Sequence, residues 1–311
     1  MRRPRSEAPS RDDVLAGRYD AEFLLGPYRR LLLAHARVEA DRRRAASGGV
    51  LTRTLCALLQ SGRADAVLAV GFAPDAPLAP RYLTLTTPEA VRAAAGSVYA
   101  YIPPRELTAA LDAARAAGRR AAVVCQPCLA PLVRRRQAAD PGAVVLVASF
   151  FCGWNMTLDA TAHLVRKAGF DPADVAEVRY RHGDYPGGFM VRTRDGRERR
   201  FSKAAYELLN MQFLRPGCGR CACYMGDGAD LACGDAWLRG RADLSAVLAR
   251  TQAGLDALAL AADGLECFAL AEADLVRMHL GNLRYKKYGL SAPMRLLTWL
   301  FNSALPKNLP P

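Results

Sequence analysis

The chain has 311 residues, 51% hydrophobic and 23% charged, which excludes a disordered chain and a single small module. Its 43 Lys and Arg against 30 Asp and Glu give a formal net charge of +13. That balance suits an anionic partner such as a phosphorylated cofactor, and sets nucleic acid and membrane headgroups as rivals to be tested. The positive charge is scattered. Short runs such as Arg42 to Arg44 and Arg134 to Arg136 read as solvated helix faces. With no recognisable module and no interleaved aromatics, no nucleic-acid partner is expected. No apolar run approaches the ~18 residues needed to cross a bilayer. The opening "MRRPRSEAPSRDD" lacks the apolar core of a secretory signal. A cytoplasmic protein without a transmembrane segment is expected.

Residues 1 to about 15 read as disordered, and 16–44 as a mixed apolar and basic segment, strand or helix. Together they form an N-terminal extension, 1–44. In "ASGGVLTRTLCALLQSGRADAVLAVGF", Ser47 is placed as a helix N-cap and Gly48 and Gly49 open the turn. Val50, Leu51, Leu55, Leu58 and Leu59 then recur at helical spacing. A buried strand "DAVLAVGF" follows. "RELTAALDAARAAGRR" reads as a helix and "AAVVC" as a strand. "PCLAPLVRRRQAAD" reads as a helix with Pro near its first turn. "AVVLVASFFC" is a strand and "LDATAHLVRKAGF" a helix. Residues 174–202 hold a hairpin turning at Asp195-Gly196. The remainder, including "LSAVLARTQAGLDALALAADG", reads as helical. The last twenty residues suit a short amphipathic helix carrying Leu296, Leu297, Leu300 and Phe301. The alternation predicts an α/β fold: a mixed, mainly parallel sheet flanked by helices, with a small hairpin-containing insertion and a helical C-terminal part. The expected divisions are 1–44, 45–118, 119–290 and a tail, 291–311.

Nine cysteines are present, in two Cys-x-x-Cys pairs, Cys125/Cys128 and Cys218/Cys221, with Cys152, Cys223 and Cys233 nearby in pattern. Without a secretory signal, metal or redox chemistry is favoured over a disulfide framework. Two strand ends, "VVCQPC" and "SFFC", and the loop "CGRCAC" deliver thiols to one region, and strand ends are where α/β sheets gather ligands. Four thiolates suit zinc and iron–sulfur alike, so spacing leaves that choice open. Cys56 and Cys267 read as buried small residues. Of the four histidines, His182 in "RYRHGDYPGG" is the one placed near a site, and His163 reads as structural. "SGG" at a helix start offers free amides to a phosphate.

These pieces resemble the coenzyme F420 hydrogenase/dehydrogenase beta-subunit family, which also contains 7-hydroxymethyl chlorophyll a reductase. The likeness runs over residues 45–270 through "RRRAASGGVLTRTLCALLQSGRADAVL", "SVYAYIPPRELTAALDAA", "AAVVCQPCLAPL", "SFFCG", "RYRHGDYPGGFMV", "CGRC", "ADLACGDAW" and "ARTQAGLDAL", in the family's order. The resemblance implies an FAD-binding α/β fold with a 4Fe–4S cluster beside the flavin. It makes 45–118 the first part of the flavin-binding region and 119–290 the iron–sulfur and flavin part. It implies electron transfer between reduced coenzyme F420, or a similar hydride carrier or small-molecule substrate, and a one-electron carrier. Cys128, Cys152, Cys218 and Cys221 match its ligand positions. Cys125, Cys223 and Cys233 depart from its pattern and stand as alternates. Ser47, Gly48 and Gly49 match its Ser-Gly-Gly, placed against FAD phosphates. The resemblance implies that Arg179 and Arg181, or the following Gly187 and Gly188, flank the flavin, and that Asp235 positions the cofactor. His182 and Asp235 are the catalytic candidates. The N-terminal ferredoxin-like cysteine cluster of many relatives is absent. Electrons are therefore expected to pass through a separate ferredoxin-like protein or a hydrogenase- or dehydrogenase-type subunit, with a homo-oligomer as a further expectation. The rival reading is a zinc-stabilised binding or scaffold protein that keeps the fold without catalysis.

Overall fold

The structure, a computed structural model, describes residues 1–73, 75–207, 209–238 and 243–296. Its strands are β1 (Arg30–Ala36), β2 (Ala66–Ala73), β3 (Ala76–Leu85), β4 (Ala121–Cys125), β5 (Val144–Phe150), β6 (Val175–His182), β7 (Gly188–Thr193), β8 (Glu198–Phe201), β9 (Leu231–Asp235), β10 (Ser245–Ala249) and β11 (Leu265–Ala269). Its α-helices are α1 (Arg11–Leu15), α2 (Ala21–Leu25), α3 (Glu39–Arg44), α4 (Val50–Gln60), α5 (Pro88–Ala93), α6 (Pro104–Ala116), α7 (Ala130–Ala139), α8 (Asp159–Lys167), α9 (Lys203–Glu207), α10 (Leu209–Gln212), α11 (Pro216–Arg220), α12 (Gln252–Leu260) and α13 (Glu272–Tyr288).

Eight strands form one mixed sheet in the order β11-β1-β10-β9-β5-β4-β2-β3. Its centre is parallel: β2 with β4, β4 with β5, β5 with β9. Antiparallel strands complete both margins. The apolar runs "AAVVC" and "VVLVASF" are what strands covered on both faces require, and β4 and β5 are buried along most of their length. Helix α4 turns Val50, Leu55, Cys56, Ala57 and Leu58 into the core, as its period predicts. The expected hairpin is β7–β8: Gly196 takes φ +87° at the turn, and β6, β7 and β8 make a separate antiparallel sheet.

Several expectations are corrected. The N-terminal residues are part of the fold. Ser10 caps α1 in a full capping box with Asp13, and β1 lies between β10 and β11. Arg2 donates from Nε to the Lys286 carbonyl and from Nη2 to the carbonyls of Gly219 and Cys221. "LSAVLA", read as helical, is β10, buried at all five positions. Partners on both sides outweigh the helical preference of Ala and Leu there. Cys267 is exposed rather than buried, on the edge strand β11. Most of the amphipathic tail, from 297 onward, lies outside the described residues; Leu296 is exposed. Among the described residues no helix is long and apolar enough to cross a membrane.

Ser47 does not cap α4. Its Oγ lies 2.8 Å from Ser245 Oγ, and the N-cap is Gly49 at φ +74°. Gly48 is wedged between strands. A Cβ there would lie 2.5 Å from the Ala34 carbonyl oxygen and 2.8 Å from the Ser245 nitrogen, both main-chain atoms. Gly48→Ala is therefore expected to cost about 1–3 kcal/mol and lower Tm by roughly 2–10 °C. A thermal melt with unchanged Tm would show that β1 and β10 part freely at this point.

Candidate functional site

The parallel strands β4, β5 and β9 end together, and the loops leaving them wall a cavity of about 540 Å³. Cys125, Gln126, Phe150 to Asn155 and Cys233 to Asp235 come from these ends. Ser47, Gly49 and the first residues of α4 form the opposite wall. A volume of this order is typical of small-molecule and cofactor sites, and the end of a parallel sheet is where they form. The main-chain amides of Val50 to Thr52 begin a helix and have no intrahelical acceptor, so the positive end of α4 faces the cavity. Tyr82, Gln126 and His279 line it too. The Tyr82 hydroxyl, Gln126 Oε1 and His279 Nε2 are buried without a hydrogen bond. Buried polar atoms are ordinarily satisfied, so these three fit a polar occupant.

Arg181 and Asp235 meet at the cavity wall. The guanidinium donates two hydrogen bonds to the carboxylate, at 3.1 and 3.2 Å, one more to the Tyr99 hydroxyl at 3.3 Å, and one to the Pro186 carbonyl. The Arg181 side chain is only 3% exposed. Burial works against its charge, but Tyr99 and Asp235 outweigh this and hold its pKa above the ordinary value. Arg181 comes from β6 of the small sheet and Asp235 from β9 of the large one, so the pair ties the two sheets together. Trp237 and Lys203 stand at the same wall, with Lys203 Nζ 4.3 Å from the Trp237 ring centroid.

A group of cysteines adjoins the cavity. Cys128 lies in the 3-10 turn Pro127–Leu129, Cys152 follows β5, Cys218 sits on α11, and Cys221 and Cys223 follow it. The Cys221 thiol is in hydrogen-bonding contact with those of Cys128 and Cys223. These contacts, with the positive charge of Lys286, lower the Cys221 pKa, while Cys128 and Cys223 are raised because each donates a hydrogen bond to it and keeps its proton. Burial pushes Cys152 up to about 12, against the attraction of Lys286 and with the repulsion of Cys218 and Cys221. Lys286, buried on α13, is thus the cation set among these sulfurs. Tyr285 beside it donates to the Cys218 carbonyl at 2.8 Å and stacks on Trp154 with centroids 4.3 Å apart. Among the described residues no three His, Cys, Asp or Glu side chains converge on a point that would grip a single ion.

The other expected residues divide. Cys125 and Cys233 line the cavity, buried, and do not join the cysteine group; burial pushes each thiol up to about 12. Gly48 is a packing residue outside the lining. Arg179 pairs with Glu177 at 2.6 Å and is likewise outside it. His182, Gly187 and Gly188 border a second, more open depression with Arg200 and Lys203. Gly187 takes φ +72° and Gly188 packs against the Phe201 carbonyl, so both are required by the hairpin backbone. Sequence reasoning missed Tyr99, Trp154, Tyr224, His279, Asn282 and Lys286. Four of these sit on α13 or in the loop after β5 and carry no local motif.

Removing one partner of the Arg181–Asp235 pair strands a buried charge. Asp235→Ala is expected to cost about 3–5 kcal/mol in urea denaturation. In a double-mutant cycle, Arg181→Met combined with Asp235→Ala should cost clearly less than the two singles together. Additive losses would mean the pair is not coupled.

Two family models match the chain. One, for the N-terminal part of the coenzyme F420 hydrogenase/dehydrogenase beta subunit, covers residues 32–108. The other, for the C terminus of that same protein, covers 118–272. Among solved structures, a chain of the F420-reducing NiFe hydrogenase complex from Methanosarcina barkeri is similar, with TM-score 0.66 and 24% identity. The match covers 85% of this chain and 91% of that one, a likeness of fold. The comparison with curated proteins gives no match. The two matched regions follow one another over the cavity-forming and cysteine-bearing parts of the chain, which belongs to the coenzyme F420 hydrogenase/dehydrogenase beta-subunit family.

Proposed function

We propose that this redox protein is an iron–sulfur flavoprotein oxidoreductase. It holds FAD in the cavity and a 4Fe–4S cluster on Cys128, Cys152, Cys218 and Cys221. It passes electrons between reduced coenzyme F420, or a similar hydride carrier, and a one-electron carrier such as a ferredoxin or a partner subunit. The observation that carries this reading is adjacency: Cys152 lines the cavity and also belongs to the cysteine group. A flavin, when bound, exchanges a hydride with one partner and single electrons with another.

The residues fit both groups. The start of α4 offers amides and a positive dipole end to a pyrophosphate. The orphaned Tyr82 hydroxyl, Gln126 Oε1 and His279 Nε2 offer partners to a polar ring. The lining is otherwise largely apolar, with Val50, Leu55, Val67, Val70 and Leu85, and excludes water from the ring. The sulfurs, drawn from three segments, are soft donors of the kind iron–sulfur clusters take. A four-iron cluster presents separate iron corners, so its thiolates need no common point. Lys286 offsets the negative charge gathered there. Arg181 and Asp235 fix the cavity wall, and Lys203 at the mouth offers positive charge to an anionic substrate.

Anaerobic purification tests the proposal. The protein should carry flavin bands and a broad absorption near ~400 nm that bleaches with dithionite. Cys218→Ser and Cys221→Ser should lose most of the iron, while Cys223→Ser keeps it. A colourless protein containing zinc would overturn the proposal. Iron content unchanged in Cys218→Ser and Cys221→Ser would overturn the ligand assignment.

A further inference from the structure

His279 sits on α13, buried, at the end of the cavity formed by Phe151, Gly153, Tyr224, Asp235 and Asn282. Its Nδ1 lies 2.8 Å from the Tyr224 hydroxyl. Asn282 Nδ2 donates to that same hydroxyl at 3.0 Å. A hydroxyl has one proton to give. Asn282 can only donate to this oxygen, so among the described residues His279 Nδ1 is the one acceptor within hydrogen-bonding distance of the buried Tyr224 proton. Nδ1 is then the ring's acceptor, and the ring's own proton sits on Nε2. A main-chain contact from Asp235 favours a proton on the ring, and Nε2 has no protein partner at full hydrogen-bonding geometry among the described residues. Burial lowers the ring's pKa to about 4, so it is neutral near pH 7. Phe151, edge-on at 5.2 Å, fixes the ring plane.

From this arrangement we infer that His279 is a neutral, tautomer-locked hydrogen-bond donor whose Nε2–H is reserved for an acceptor on the molecule in the cavity. Tyr224 and Asn282 are the positioning residues that set its tautomer. The matching ligand group is a carbonyl oxygen or an unprotonated ring nitrogen of a heteroaromatic ring. An ammonium or N–H group would face a donor and be refused. A histidine that can give but not take a hydrogen bond favours the ring state with more electron density on its acceptors. It does so without adding a charge beside the neighbouring sulfurs. The inference rests on the flavin reading for the identity of the ring, and on the side-chain geometry alone for the tautomer.

The two parts are tested separately. In full-length, cofactor-free protein labelled with 15N-histidine, His279 is assigned by the signal missing from His279→Gln. At pH 7 its ring nitrogens should report a neutral Nε2–H tautomer, and Tyr224→Phe should mix the tautomers. A charged ring, or an Nδ1–H tautomer in the wild type, would overturn the inference whatever the protein binds. Flavin affinity, read by quenching of flavin fluorescence, should fall about tenfold in His279→Leu. In His279→Gln, which keeps an N–H donor, it should stay within about threefold. Equal affinity and an unchanged flavin spectrum in the Leu variant, with its fold confirmed by circular dichroism, would also overturn it. Failure of the wild type to bind flavin would sink the flavin reading instead, with the tautomer still decided by the nitrogen shifts.

Discussion

The buried pair of Arg181 and Asp235 is the constraint on which the site's shape depends. It reaches from the small sheet to the large one and closes one side of the cavity. A guanidinium this deep is tolerable only because its donors are met: two by Asp235, one by Tyr99, one by Pro186. Such a pair adds little to stability over an apolar replacement. What it fixes is register, since a bidentate fork fits one mutual orientation. Arg181 also donates to the Pro186 carbonyl, so the loop between β6 and β7 and the ion pair hold each other in position.

A second constraint holds the cysteine segment. In residues 215–223 the regular structure is the single short turn of helix α11, and the carbonyls of Cys218, Gly219 and Cys221 take outside donors. Arg2 from the chain's start and Tyr285 from α13 bind the carbonyls of Gly219, Cys221 and Cys218. Arg2 also sits 6.0 Å from the Tyr285 ring centroid, and Tyr285 in turn stacks on Trp154 beside Cys152. The sulfur-bearing segments are thus held from outside the sheet by residues far apart in sequence. The N-terminal segment has work to do that its polar composition hides.

That contrast explains what could be read from the sequence. Elements with a strong local period, such as α4, β4, β5 and the hairpin at Asp195-Gly196, were legible because their burial pattern is written along a single segment. Strands β1, β9 and β10 were not. Their apolar runs are short, and only pairing with distant strands decides between helix and sheet. Of the candidate site, the cysteines and the Arg181 and Asp235 positions were legible through ordered motifs. Lys286, Tyr285, Asn282 and His279 were not, because a helix residue near the C-terminus carries no sign of which distant strand end it will meet. Ser47 shows the opposite error. A serine before a helix reads as a cap, but here Ser245 across the sheet claims its hydroxyl.

The sheet also sorts the extra thiols. Cys125 is the last residue of β4 and Cys233 the middle residue of β9, so their side chains are fixed in the wall by the sheet itself. Burial raises both thiols to about 12, as it does Cys152, and keeps them protonated near neutral pH until a partner takes the proton. Cys128 and Cys223 lie beyond the strand ends, where the backbone turns outward and other thiols come within contact. A single short step along the chain, Cys125-Gln126-Pro127-Cys128, therefore separates two different chemistries. One cysteine serves as an apolar wall of the cavity, and the other stands with the sulfurs outside it. The 3-10 turn that starts at Pro127 makes that division, so the Cys-x-x-Cys spacing here marks a boundary between cavity and sulfur group rather than a chelating pair.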